Sequence, residues 1–285
     1  MHVVALTREL VEIPSHRGPD TDESAAGEFV AAWLREHTDA SVSHDDHGNV
    51  IARKGSGEQS LALVGHHDVV PPDDAQLNGG EYVVERANGR LHGRGTADMK
   101  GPLAAAMLTV RDAAPADGEL VFASFAGEEQ GGEGCRAAIA DGFSVDRAVV
   151  VEGATGYSTP GVTDVAVAHK GRRGSTIVAE GTAAHASEVA AGENAIYRAT
   201  DAVSLIRGLE APTTAVLGHE LRGSVAVTEI DGGSAWNVVP ERCAVTIDER
   251  TVPGERAPLD RVDAIDGVDW RVDQDLPPMA CDDPA

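Results

Sequence analysis

Apolar residues change their spacing several times along the chain, and each change predicts an element. Helical spacing runs through residues 2–13 and 21–37. The second stretch carries Phe29, Trp33 and Leu34 on one face and opens on Asp22-Glu23, acidic residues that suit a helix start. Short continuous apolar runs at Leu61–Val64, Leu120–Ala126 and Ala148–Val151 predict buried strands. Alanine-rich Met99–Arg111 predicts a helix, and another is expected around Cys135–Ala140. Asn88-Gly89 between Tyr82–Arg86 and Arg90–His92 is a hairpin signal, and His44–Asn49 reads as a polar hairpin turn. From Val165 the pattern changes character. Strands are expected at Val165–Ala168, Thr176–Ala179, Gly223–Ile230, Cys243–Ile247 and Val268–Val272, with helices at Asn194–Leu209 and near Leu259–Ile265. That succession describes a small ferredoxin-like layer.

The chemistry collects where predicted strands or turns end. Leu61–Val64 leads into Gly65-His66-His67-Asp68-Val69-Val70-Pro71, and alternation places His66 and Asp68 on one side of the extended chain. A carboxylate beside an imidazole is a common way to hold a metal-binding His in one tautomer. Asp98 lies in Gly93-Arg94-Gly95-Thr96-Ala97-Asp98-Met99-Lys100-Gly101, Glu128-Glu129 come after the second apolar strand, and Glu152 after the third. Taken singly, each carboxylate reads as a solvated turn residue, and Asp98 as a helix N-cap. Together they mark the carboxyl ends of strands, where ligands bind in an open α/β sheet. The Gly93–Gly101 run lacks the Gly-Lys-Ser/Thr ending of a phosphate loop and places an Asp where phosphate would approach.

These stretches, with Gly181-Thr182-Ala183-Ala184-His185-Ala186-Ser187, Asn237-Val238-Val239-Pro240 and Asp248-Glu249-Arg250, resemble one family in the same order. It is the zinc-dependent amidohydrolase and metallopeptidase family of acetylornithine deacetylase, succinyl-diaminopimelate desuccinylase and glutamate carboxypeptidase. The resemblance implies an α/β fold: a mixed-sheet, zinc-peptidase-like catalytic domain over residues 1–163 and an inserted ferredoxin-like α+β lid over 164–274. The lid would carry a homodimer contact, and residues 275–285 would begin the return to the catalytic domain. It implies two zinc ions, with cobalt or manganese also fitting. His66, Asp98 and Glu152 would hold the first; Asp98, Glu129 and a His from further along the family's catalytic domain would hold the second. The sequence stops at Ala285, short of that His. Asp68 would orient His66, Glu128 would act as general base, and His185 would stabilise the oxyanion. Asn237 and Arg250, with Arg172 and Ser175 as further candidates, would contact the substrate, an arginine being suited to a carboxylate. A cis peptide is implied at Asp98-Met99. The implied activity is deacylation of an N-acyl amino acid; a dipeptidase or carboxypeptidase, or a non-catalytic amino-acid or peptide binder, are the alternatives.

Composition narrows the setting. The chain has 285 residues, 47 acidic against 23 basic, a formal net charge of −24. Lys54, Lys100 and Lys170 are the lysines, so nearly all positive charge is arginine. Such a surface argues against nucleic acid or an anionic membrane as partner. Cys135, Cys243 and Cys281 are odd in number and far apart, so no disulfide framework is indicated. The first ten residues lack a signal peptide's basic start and long apolar core, and no run approaches a membrane span, so a cytoplasmic setting is expected. The acidic, lysine-poor balance suggests a salt-rich cytosol, in which screening relieves self-repulsion. Thermal unfolding should then shift to higher temperature between low and molar KCl; an unchanged melting temperature would refute salt adaptation.

Overall fold

The computed structural model describes residues 2–153, 156 and 158–281. It divides into two compact units, Met1–Val162 and Thr163–Ala285. The first is built on a five-stranded mixed sheet: β1 (Ser41–His44), β2 (Val50–Gly55), β3 (Ser60–His66), β4 (Glu119–Phe125) and β5 (Arg147–Val150). The strand order is β1-β2-β4-β3-β5. The β1–β2 and β2–β4 pairs are antiparallel, whereas β3 runs parallel to both β4 and β5. Parallel neighbours need crossover connections. Helix α3 (Gly101–Asp112), with Pro102 in its first turn, connects β3 to β4, and α4 (Glu133–Ala140) connects β4 to β5.

Helices α1 (Val3–Val11), α2 (Ser24–His37) and α3 cover one face. Leu6, Leu10, Val30, Leu34, Leu103 and Met107 meet Leu120 and Phe122 of β4 there. The alternate residues Ala123 and Phe125 point the other way, against Ala138 of α4 and Phe143. Strand β4 therefore has no solvent face, which explains its unbroken apolar sequence. Strand β5 differs from the expected buried strand: it pairs only with β3 at the sheet's edge, and all four residues are exposed, Val149 and Val150 among them, because no described residue covers either of its faces. The hairpin signal holds, with Glu85–Ala87 paired to Arg90–His92 and both Asn88 and Gly89 at positive φ.

The second unit holds a four-stranded antiparallel sheet of β6 (Gly171–Glu180), β7 (Ser224–Gly232), β8 (Arg242–Thr251) and β9 (Val268–Leu276), in the order β7-β8-β6-β9. Helix α5 (Ala195–Arg207), N-capped by Asn194, packs Ala195, Ala199, Ala202 and Ile206 onto Ile177, Val245 and Ile247. The expected helix near Leu259 is a 3₁₀ turn, Leu259–Ala264. The Val165–Ala168 strand is not formed; Ala168 and His169 alone pair, with Met279–Ala280, and Val165 is 82% exposed. Strand β6 instead starts at Gly171 and is longer than expected. Its first half reads as polar because the inward position Arg173 carries a charge, paired with buried Glu249 at 2.6 Å and lying over Trp270. The hairpin Thr213–Val216/His219–Arg222 has no counterpart among the expected elements. Among the described residues, no helix is long and apolar enough to cross a membrane.

Gly134, in the first turn of α4, has no room for a side chain. A Cβ there would lie 2.5 Å from the Ala126 carbonyl oxygen, 2.8 Å from the Ala126 nitrogen, and against Asn49 Oδ1. Gly134→Ala should destabilise by about 2 kcal/mol and lower the melting temperature by roughly 5 °C. An unchanged transition would mean the turn yields freely.

Candidate metal centre

Strand β3 delivers His66 to the end of the sheet with 2% of its surface exposed. Its Nδ1 lies 3.0 Å from the Asp68 carbonyl oxygen, to which it donates, and 3.3 Å from Asp68 Oδ1. That leaves Nε2 as the nitrogen available to a ligand. It faces Asp98 Oδ1 at 3.1 Å, Glu152 Oε1 at 3.2 Å and Glu128 Oε2 at 4.0 Å. One ligand atom each from His66, Asp98 and Glu129 fall within 4.8 Å of one another. The ends of β3, β4 and β5 and the turn before α3 thus converge on one imidazole. The Asp98–Met99 peptide bond in that turn is cis.

Asp68, 1% exposed, does more than orient His66. Its Oδ1 accepts the Glu128 amide at 3.1 Å and its Oδ2 the Glu129 amide at 3.0 Å. Burial would raise its pKa, but the His66 contact and the two amides outweigh that and hold it below the usual carboxylate range. Glu128 and Glu129 shift the other way. Burial raises both; Asp68, Glu152 and Asp98 add repulsion at Glu128, Asp98 chiefly at Glu129, and His66 opposes. At His66 burial works against the charge, yet Asp68, Glu152 and Glu128 push the imidazole up to about 11. Three carboxylates face His66 Nε2, with Glu129 in the same group, and an imidazole with several carboxylate oxygens is a donor set that suits a divalent metal ion.

Two buried residues support this arrangement. Lys100, fully buried, donates from Nζ to the Leu10 and Ile13 carbonyls at 2.9 and 2.7 Å, tying the Asp98 turn to the C-terminal end of α1. Burial pushes its amine down to about 7. Sequence reading missed it, although a lone lysine beside Asp98 in an arginine-rich chain was the available signal. His67 points away from the cluster, its Nδ1 2.8 Å from Ser124 Oγ, and burial pushes it down to about 4, so it stays neutral.

The other candidates lie in the second unit. The His185 segment pairs with Val238, and the Ala186 amide donates to the Asn237 carbonyl at 2.9 Å. His185 is exposed, with Nδ1 2.7 Å from Ser187 Oγ. Arg172 and Arg250 are cross-strand neighbours that share Asp248, each Nε 2.7 Å from one of its oxygens. Ser175 does not join them. It is buried on the face of Ile177 and Ala179, opposite Arg172, because strand residues alternate. His92 and His169 are exposed strand residues outside the cluster.

The sequence pattern of peptidase family M20/M25/M40 matches residues 62–285. The chain is 31% identical over 245 residues to an acetylornithine deacetylase from Myxococcus xanthus, covering 84% of this chain and 61% of that protein. It is 31% identical over 258 residues to a putative LysW-lysine/LysW-ornithine hydrolase from Pyrobaculum aerophilum, covering 90% and 68%. A probable succinyl-diaminopimelate desuccinylase from Staphylococcus aureus is 29% identical over 244 residues, covering 74% and 58%. The chain therefore spans roughly three-fifths of the length of two of these relatives. Among solved structures, the aminopeptidase PepT from Bacillus cereus superposes with a TM-score of 0.71 at 18% identity, covering 99% of this chain and 78% of that one.

The carboxylates around His66 favour its protonated form in the metal-free site, and only neutral imidazole ligates, so metal uptake at pH 8 should release about one proton per chain from His66. Calorimetric titration in buffers of different ionisation enthalpy reads that number. Uptake without proton release, repeated at about pH 5.5 where a free imidazole is protonated, would exclude His66 as a ligand.

Proposed function

From the premise that the chain belongs to peptidase family M20/M25/M40, we propose that it is a metal-dependent hydrolase cleaving the amide bond of N-acyl amino acids. The acetylornithine and succinyl-diaminopimelate types are the nearest substrate classes suggested by its relatives' names. The observation that carries this reading is the convergence of Asp98, Glu128 and Glu152 on His66 Nε2, with Glu128 held at its backbone by Asp68.

Zinc suits the donor set, with cobalt or manganese also acceptable; His66, Asp98 and Glu152 would hold one ion, and Asp98 and Glu129 would contribute to a second, whose further His the family places beyond residue 285. These residues would hold a divalent ion whose chemistry is Lewis-acid polarisation of a carbonyl and acidification of water. Glu128 takes a proton from the attacking water on its carboxylate and hands it to the leaving nitrogen. Its raised pKa suits a group that must both accept and give a proton. His185 Nε2 donates to the oxyanion. Arg172 and Arg250, partly neutralised by Asp248, together offer about one net positive charge to a substrate carboxylate, with Asn237 as a polar contact. The second unit, whose strand order and succession support a ferredoxin-like reading, serves as the lid and as the contact of a homodimer. The protein works in the cytoplasm.

Release of acetate or succinate from a panel of N-acyl amino acids, run beside dipeptides, tests the reading. Hydrolysis of dipeptides alone would make it a dipeptidase; binding without turnover by any substrate would make it a binder. Glu128→Gln should lower kcat by about 10²-fold with metal content unchanged. A near-normal rate would remove Glu128 as the base.

A further inference from the structure

The turn carrying Glu128 and Glu129 is built from a sequence with little stiffness of its own. Gly127, Gly131 and Gly132 all have positive φ, and the turn closes through Gly131 N to Glu128 O (2.8 Å) and Gly132 N to Gly127 O (3.1 Å). Three glycines in six residues lose much conformational entropy on ordering, so external ties decide how well the turn is fixed. Asp68 supplies one tie. The other comes from Ser15-His16-Arg17, a strap between α1 and α2 whose three residues each grip a different segment. The Ser15 carbonyl accepts the Val69 amide at 3.1 Å, beside Asp68. His16 Nδ1 lies 2.6 Å from the Tyr82 hydroxyl, the two rings stacked. Arg17 bridges Glu23 Oε1 at 3.0 Å and Glu133 Oε2 at 2.8 Å. Its guanidinium also lies against the turn: a Cβ on Gly127 would come within 2.9 Å of Arg17 Nη2. Glu23 is itself buried, so its pairing anchors the arginine on the α2 side.

We propose that Arg17 is a positioning residue that clamps the Gly127–Glu133 turn through Glu133, a tie separate from the Asp68 bonds, so that Glu128 and Glu129 are presented in fixed places. Its importance for catalysis rests on the roles proposed above, but the position of the turn is measurable without substrate. Amide hydrogen exchange at Glu128 and Glu129, both donors to Asp68, reports the turn, and Phe122 in β4 reports the sheet. Arg17→Met and Glu133→Gln should each speed exchange at Glu128 and Glu129 by about tenfold relative to Phe122, and the double variant by no more than either single one. Co(II) titration should show the dissociation constant rising by about tenfold, the lower end for loss of a ligand's supporting contact. Arg17→Lys should fall between, since an ammonium replaces one of two guanidinium bonds. Equal acceleration at Phe122, which marks a purely global loss of stability, would overturn the clamp. Additive effects of Arg17→Met and Glu133→Gln would overturn it too. A wild-type protein that takes up no Co(II) would sink the metal reading instead, while the exchange rates still decide the role of Arg17.

Discussion

One buried carboxylate sets the geometry of the whole centre. Asp68 lies just beyond the end of β3, ionised, and its two oxygens reach in two directions: to the imidazole of His66 and to the amides of Glu128 and Glu129 after β4. Strands β3 and β4 are parallel neighbours, so their ends sit side by side, but strand pairing alone does not orient the turns beyond those ends. Two charge-assisted amide bonds do, and they also stabilise the carboxylate in its charged form. Without Asp68 the two amides would lose their partners, and His66 would lose both its orientation and part of its electrostatic support.

The rest of the first unit meets the demands of this arrangement. Charge of one sign is concentrated in a small region, and the surrounding residues supply either positive charge or stiffness. Lys100 brings its amine to the carbonyls that end α1 and so locks the turn bearing Asp98. The glycine-rich turn bearing Glu128 has ties on both flanks. The apolar faces of β4, filled from α1, α2 and α3 on one side and from α4 on the other, keep the strand ends from shifting. The second unit shows the same economy of charge: its inward-facing Arg173 is tolerated because Glu249, the Ala257 carbonyl and the Trp270 ring surround it.

The sequence by itself determined the elements with strong periodicity and the identity of the clustered residues. The apolar runs of β3 and β4, the hairpin at Asn88-Gly89 and the helix from Asn194 depend on local pattern and local chemistry, so they were legible. His66, Asp98, Glu128, Glu129 and Glu152 were legible because each comes at the end of a strand or turn in a recurring signature. Tertiary structure alone decided whatever depended on a distant partner. That β5 is an exposed edge is a result of strand order, not of its valines. That β6 begins at Gly171 depends on Glu249, 76 residues from Arg173, which lets a charged residue occupy an inward position. The reach of Asp68, Lys100 and Arg17 to segments far away in the chain likewise has no local signature. Periodicity reports which side of an element is apolar; only the packed fold shows what charge stands across from a charge.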